Sequence, residues 1–361
     1  MPEPLRPDGD VVDLLRRLID VESVSGQEQE IADLVERSLE PYGHLELIRD
    51  GNVIVARTAL DRAERVVIAG HLDTVPIAKN LPTRRDGDML WGRGTVDMKG
   101  GVAVALRLAA HVDRPIRDVT YVFYDHEEVE AARSGLARVV RDNAEWLAGD
   151  FAVLMEPTAA QVEAGCNGTM RAEITVRGRA AHSARPWMGS NAVHAAGGVL
   201  DRLRSYLPAE VDVDGLAYRE AMNAVDIRGG IAGNIIPDTC VVTVNYRFAP
   251  SRDEDEAEKL VRELFDGYEV TIVDSAPGAM PGLTHPAAAA FIAAVGAEPR
   301  PKYGWTDVAR FTALGVPAVN YGPGDPNLAH ADDERVDVAE IDRCERCMRR
   351  WLTGAHDPGR G

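Results

Sequence analysis

The sequence predicts an α/β protein of two domains, in which a mixed sheet with helices on both faces receives a smaller α+β unit as an insertion. Three observations carry that expectation. The chain is 361 residues long and 45% hydrophobic, enough for two sizeable cores. Apolar, β-branched runs alternate with helical stretches through its first half. From about Met170 the pattern turns to alternating apolar and polar residues, as a half-exposed antiparallel strand requires.

Taken in order, Ser25 followed by Glu28 has the form of a capping box. Ile31, Leu34, Val35 and Leu39 then recur at helical spacing, so a helix is expected over 27–39. Strands follow around an Asp50-Gly51 turn. The apolar runs 66–69, 119–124 and 151–155 end at Gly70-His71, at Asp125-His126-Glu127-Glu128 and at Glu156, with an Ala-rich helix over 100–110 between the first two. In the insertion, Met170, Ala172, Ile174 and Val176 form a strand. A helix over 191–207, strands over 224–232 and 240–248, a helix over 253–265 and a strand over 268–273 complete a βαββαβ order, which reads as a ferredoxin-like unit. A strand over 317–321 and a helix over 339–352 return the chain to the first sheet. The expected domains are 1–169 with 284–361, and 170–283 between them. No internal repeat is evident.

Composition narrows the partners. A formal net charge of −18 argues against nucleic acid or an anionic membrane surface, and an anionic substrate would need local basic residues to receive it. The opening MPEPLRPDGD lacks an apolar signal core and no apolar run is long enough to span a bilayer, so a cytoplasmic protein is expected. Cys166, Cys240, Cys344 and Cys347 make no dense disulfide framework. The Cys344/Cys347 pair lacks the second pair a tetrahedral zinc site needs, and reads as thiols on a helix.

The chemistry lies at the strand ends. His71 and Asp73 in GHLDTVP, Asp97 in GRGTVDMKGG, Glu127 and Glu128 in YDHEE, Glu156 in LMEPT and His330 in GPGDPNLAHADDE are metal-ligand types placed where strands give way to loops. That is the layout of a two-metal hydrolase. Two adjacent dications repel, so a shared carboxylate is needed between them, and Asp97 in its glycine-rich loop is the natural bridge. A phosphate cradle is the rival for those glycines, but neither GxGxxG nor GxxxxGK[ST] is present. His71 and Asp73, two apart in an extended segment, point to one side, so one can bind metal while the other orients it from behind. Adjacent Glu127 and Glu128 need a cation to receive them; residue types alone do not tell ligand from base.

These segments, in this order and with RAAHSARPW, GGIAGNIIPD, VNYRFAP and KYGWTDVARF, resemble the M20 family of di-zinc metallopeptidases and deacylases over nearly the whole chain. The resemblance implies an aminopeptidase-like di-zinc domain and an inserted lid that also dimerises. It implies two Zn2+, one on His71 and Glu156, the other on Glu128 and His330, both on Asp97; such ligands also accept Co2+ or Mn2+. Glu127 is then the general base and Asp73 the residue that orients His71. His182 in the insertion corresponds to a family histidine that reaches a partner subunit's site and stabilises the oxyanion, so a homodimer is expected. Asn234, Arg247, Thr306 with Asp307, and Asn327 are the implied substrate contacts, Arg247 by bidentate pairing with a carboxylate. His44, His111, His126, His194, His285 and His356 match no ligand position.

The implied reaction is hydrolysis of a small anionic N-acyl amino acid, N-succinyl-LL-2,6-diaminopimelate, to succinate and LL-2,6-diaminopimelate. N-acetylornithine, other N-acyl amino acids and dipeptides are the alternative substrates on the same scaffold, and an inactive ligand-binding protein is the alternative of a different class. One departure bears on the choice: many family members with the first activity carry Gly-Arg-Arg-Gly where this chain has Gly165-Cys166-Asn167-Gly168.

Overall fold

The computed structural model describes residues 4–354. They divide into two compact units, one made of residues up to Ala164, Gly282–Arg300 and residues from Arg310 onward, the other of Gly165–Pro281 and Pro301–Ala309. His356 lies outside the described residues.

The first unit is built on a mixed eight-stranded sheet. Its order is Glu46–Asp50, Val53–Arg57, Asp118–Tyr124, Arg65–His71, Phe151–Leu154, Ala318–Asn320, Glu163–Ala164 and Arg300–Pro301. The Arg65–His71 strand runs parallel to both of its neighbours, and Ala318–Asn320 runs parallel to Phe151–Leu154. All seven residues of Asp118–Tyr124 are buried, so both faces of the sheet are covered there. The helix Lys99–His111 packs so closely that a Cβ on Gly101 would stand 2.1 Å from the Met155 carbonyl oxygen. A small three-stranded sheet of Arg84–Asp86, Met89–Trp91 and Arg335–Asp337 joins segments far apart in sequence.

The helix expected over 27–39 forms as Gln29–Leu39, but without the capping box. Glu28 turns back to accept from the Gly26 N–H at 2.8 Å, while the Ser25 hydroxyl donates to Asp73 at 2.6 Å. A tertiary acceptor thus outcompetes the local cap.

The second unit is a four-stranded antiparallel sheet in the order Ala221–Gly229, Thr239–Phe248, Gly168–Arg177, Glu269–Ala276. With the helices Gly197–Ser205 and Glu254–Leu264 it has the ferredoxin-like connection order. One face supplies a core that includes Ile174, Val242, Tyr246, Phe248 and Phe265. The Glu254–Leu264 helix starts on a true capping box of Asp253 and Glu256. The single helix expected over 191–207 is two, Ala192–Ala195 and Gly197–Ser205, divided just before the poor helix formers Gly197 and Gly198. Residues 301–309 belong to this unit because the Lys302 carbonyl accepts from the Asn167 N–H at 3.2 Å and the Trp305 indole donates to the Pro277 carbonyl at 3.1 Å.

Candidate metal centre

Parallel strands deliver one end of each strand to the same rim of the sheet, and in the first unit the carboxyl ends carry the charged residues. His71 ends its strand, Glu127 and Glu128 follow Asp118–Tyr124, Glu156 follows Phe151–Leu154, and His330 lies in the loop beyond Ala318–Asn320. Ligand atoms of His71, Asp97 and Glu156 lie within 4.8 Å of one another, as do those of Asp97, Glu128 and His330, and those of His71, Glu127 and Glu128. Asp97 is common to the first two groups: its Oδ1 is 3.0 Å from His71 Nε2 and its Oδ2 is 3.3 Å from His330 Nε2. His330 Nε2 is also 3.0 Å from Glu128 Oε1.

Asp73 is buried behind this group and does more than face an imidazole. His71 Nδ1 donates to the Asp73 backbone carbonyl at 3.0 Å, and the Asp73 carboxylate lies 3.5 Å away. The carboxylate accepts from the backbone N–H groups of Glu127 at 3.0 Å and Glu128 at 3.1 Å. It therefore aims the glutamate pair as well as the histidine.

The electrostatics are those of a site crowded with carboxylates. Burial opposes charge on His71, but the hydrogen bond to Asp97 and the charges of Asp73, Asp97 and Glu127 outweigh it and hold the imidazole well above its ordinary range. Hydrogen bonds to Asp97 and Glu128 push His330 up to about 10. Burial raises the Asp97 carboxyl, yet its bonds to His330 and His71 leave it well below the usual range. Excess negative charge drawing protons onto two imidazoles is the behaviour of a donor set suited to cations. Carboxylate and imidazole donors arranged as two groups around one shared carboxylate fit two divalent ions.

Sequence reasoning missed the side chains that hold this group in place. Ser25 anchors Asp73, and Glu334 and Arg93 form a buried pair beside Asp97. Arg93 and Glu334 stand inside the motifs GRGTVDMKGG and NLAHADDE, so the strings contained them, but nothing in residue type set them apart. Glu28, Asp125 and His126 form another acidic group with ligand atoms within 4.8 Å, His126 Nδ1 lying 2.8 Å from Asp125 Oδ2 and 3.4 Å from Glu28 Oε1. A cavity of about 800 Å³ lined by Arg117, Ala290, Arg343 and Trp351, among others, shares no residue with the metal-ligand group.

The remaining candidates are scattered. Asn327 is in the first unit, exposed, with its amide donating to Asp325 at 2.8 Å. His182, Asn234, Arg247, Thr306 and Asp307 belong to the second unit. His182 is exposed, and its Nδ1 accepts from the Ala184 N–H at 3.1 Å, which leaves the proton of a neutral ring on Nε2. The Asn234 carbonyl accepts from Ser183 N–H at 2.9 Å. Arg247 is half-buried and its Nε donates to Asn245 at 3.1 Å, whereas Thr306 and Asp307 are buried. The departure at Gly165-Cys166-Asn167-Gly168 is structural: Cys166 is buried with its thiol on the Thr306 carbonyl, and the Asn167 amide donates to the Arg219 carbonyl at 2.8 Å.

A mixed sheet with metal-ligand types gathered at its carboxyl rim, together with a separate ferredoxin-like unit, defines the class of metal-dependent hydrolases with a two-ion donor set. The chain belongs to peptidase family M20/M25/M40, whose model matches residues 67–354. A Mycobacterium tuberculosis protein provisionally named succinyl-diaminopimelate desuccinylase DapE is 54% identical over 349 residues, covering 96% of this chain and 99% of its own. The succinyl-diaminopimelate desuccinylase of Corynebacterium glutamicum is 44% identical over 356 residues, covering 96% of each. In structure the chain is similar to a tripeptidase from Staphylococcus aureus, with a TM-score of 0.79 at 19% identity over 97% of this chain and 98% of that one. It is also similar to a dinuclear metal-binding M20 peptidase from Bacillus subtilis, with a TM-score of 0.69 at 17% identity over 95% and 96%.

Proposed function

We propose that this chain hydrolyses the amide of N-succinyl-LL-2,6-diaminopimelate, releasing succinate and LL-2,6-diaminopimelate, with two divalent ions held by His71 and Glu156, by Glu128 and His330, and by Asp97 in common. The observation that carries the reading is the shared position of Asp97 between two histidine-carboxylate groups, in a chain 54% and 44% identical to two relatives named for this activity. Zinc suits the nitrogen and oxygen donors, with cobalt and manganese as substitutes. When bound, such ions supply Lewis acidity that polarises a carbonyl and makes water easier to deprotonate. Glu127, aimed by the Asp73 carboxylate, takes the proton from water and returns it to the leaving amine. Arg247 and Asn234 on the second unit, with Thr306, Asp307 and Asn327, are the proposed substrate contacts.

His182 is proposed to donate from Nε2 to the oxyanion of a partner subunit's reaction. The partner would be a second copy paired along Ala221–Gly229. That strand is an edge of its sheet and exposes Val225 and Ile227 at 59% and 49%. The double substitution Val225→Glu with Ile227→Lys should yield monomers in sedimentation; an unchanged oligomer would place the contact elsewhere.

Hydrolysis rates on N-succinyl-LL-diaminopimelate and N-acetylornithine, measured side by side with zinc-loaded protein, test the substrate. Preference for the acetyl compound would overturn the acyl-group assignment and leave the donor set standing. The comparison is needed because Cys166 and Asn167 bring no positive charge where many relatives of this activity carry two arginines.

A further inference from the structure

Arg93 and Glu334 form an ion pair of 2.9 Å whose side chains are only 4% and 1% exposed. Neither is among the proposed ligands, yet both touch the loops that carry them. Glu334 Oε1 accepts from the backbone N–H groups of Val96 at 2.9 Å and Asp97 at 3.2 Å. Arg93 Nε donates to the Pro76 carbonyl at 3.2 Å, three residues beyond Asp73. Its Nη1 donates to the Ala331 carbonyl at 3.1 Å, next to His330. The Gly92 N–H closes the group on the Glu334 carbonyl at 3.1 Å. One buried pair therefore joins the loop of Asp73, the loop of Asp97 and the loop of His330.

A buried ion pair is often no more stabilising than a well-packed apolar pair, because removing two charges from water costs about what their attraction returns. Geometry is what this pair supplies. Ligands on loops hold a cation tightly only when neighbouring groups fix them to within about 0.5 Å. Two N–H groups directed at one carboxylate oxygen fix the backbone of Asp97, and a guanidinium with rigidly spread donors holds the flanking loops to it.

We propose that Arg93 and Glu334 are positioning residues that set the Asp97 carboxylate between the two cation positions. Their removal should loosen cation binding and slow turnover while leaving substrate recognition intact. This rests on the reading of Asp97 and His330 as metal ligands.

The test is zinc affinity of the metal-free full chain by competition with a chelator, alongside kcat and KM, for Glu334→Gln, Glu334→Asp and Arg93→Lys. Glu334→Gln turns an amide N–H2 toward the Arg93 donors. Glu334→Asp keeps the charge but is too short to reach both partners, and Arg93→Lys keeps the charge but has no fork to span three acceptors. Zinc affinity is expected to fall about 10–100-fold and kcat to fall with it, with KM within about twofold of wild type. Asp118→Asn, which disturbs a different buried carboxylate, serves as the control: it should lower stability and leave zinc affinity unchanged. If Glu334→Gln fails to fold, the two charge-conserving variants carry the measurement. Folded variants that bind zinc as wild type does, whatever their melting temperature, would overturn the proposal. A wild-type chain that binds no zinc would overturn the ligand reading and the positioning role together.

Discussion

The buried ligand loops of the first unit and the open sheet face of the second hold their charged side chains in contrasting surroundings. In the first, Asp73, Arg93, Glu156 and Glu334 are buried beside or within the ligand group. Lys99 is buried too, its ammonium donating to the Leu18 carbonyl at 3.0 Å and the Val21 carbonyl at 2.8 Å. In the second, Glu220, paired with Arg252, and Asp307 are buried, but pairs on the open face of the sheet are exposed: Arg177 pairs with Glu269 with side chains 63% and 55% exposed, and Arg228 pairs with Glu173. Exposed pairs are screened by water and contribute little, whereas a buried charge that loses its partner keeps the full cost of its desolvation. Substitutions of charges buried at the ligand loops should therefore be severe and those on the open sheet face mild, except where a residue of the second unit is proposed to contact substrate.

The largest expected break is chemical. Glu127→Ala should lower kcat about 10²–10⁴-fold, the usual worth of a general base, with both ions retained by elemental analysis. Loss of an ion with the activity would mean that Glu127 is a ligand. Next is the exception within the second unit: His182→Ala should lower kcat about 10²–10³-fold at constant melting temperature, as removing an oxyanion donor does. Unchanged turnover in a folded variant would return His182 to the mild class with its exposed neighbours.

The third prediction is thermodynamic and concerns a buried charge remote from the chemistry. Asp118 accepts from the Thr58 hydroxyl at 2.7 Å and from the N–H groups of Leu60 and Arg62 at 2.9 Å each. Burial raises its pKa, but these bonds and the charge of Arg65 outweigh burial and leave it lowered. Asp118→Asn should cost about 1.5–3 kcal/mol in denaturant unfolding at pH 7. Because the folded pKa lies below the unfolded value of about 3.9, the carboxylate's contribution is fully present above that value. It disappears as pH falls through the folded pKa, so the gap between variant and wild type should narrow in acid; a gap independent of pH would exclude the carboxylate charge as its source. Smallest of all, Glu269→Gln should change stability by less than about 1 kcal/mol and less still in high salt. A larger effect would show that the open sheet face is less solvated than its exposure indicates.

Much of this was legible in the chain because local rules act over a few residues. The apolar runs before His71, Glu127 and Glu156 read as strands because they are short, rich in β-branched residues and bounded by polar loops, and a strand buried on both faces is apolar throughout. The alternation of Met170, Ala172, Ile174 and Val176 read as a half-exposed strand, and all four are buried, less than 5% exposed, in the core of the second unit. Where a local rule met a distant partner it failed: Ser25 had the form of a cap, and its hydroxyl went to Asp73, 48 residues away. The short sheet joining Met89–Trp91 to Arg335–Asp337 escaped for the same reason, since each strand is only three residues long and takes its partner from the far end of the chain.

By itself, then, the sequence determined the two kinds of sheet, the order of the donor residues, and the residue types available for a cation, because periodicity and composition are properties of neighbours along the chain. Only the tertiary structure decided that Asp97 lies between His71 and His330, that Asp73 holds the backbone of Glu127 and Glu128, and that Arg93 and Glu334 join three loops. Those contacts form between segments up to 241 residues apart, and they are set by how parallel strands bring their carboxyl ends to one rim rather than by anything a residue shares with its sequence neighbours.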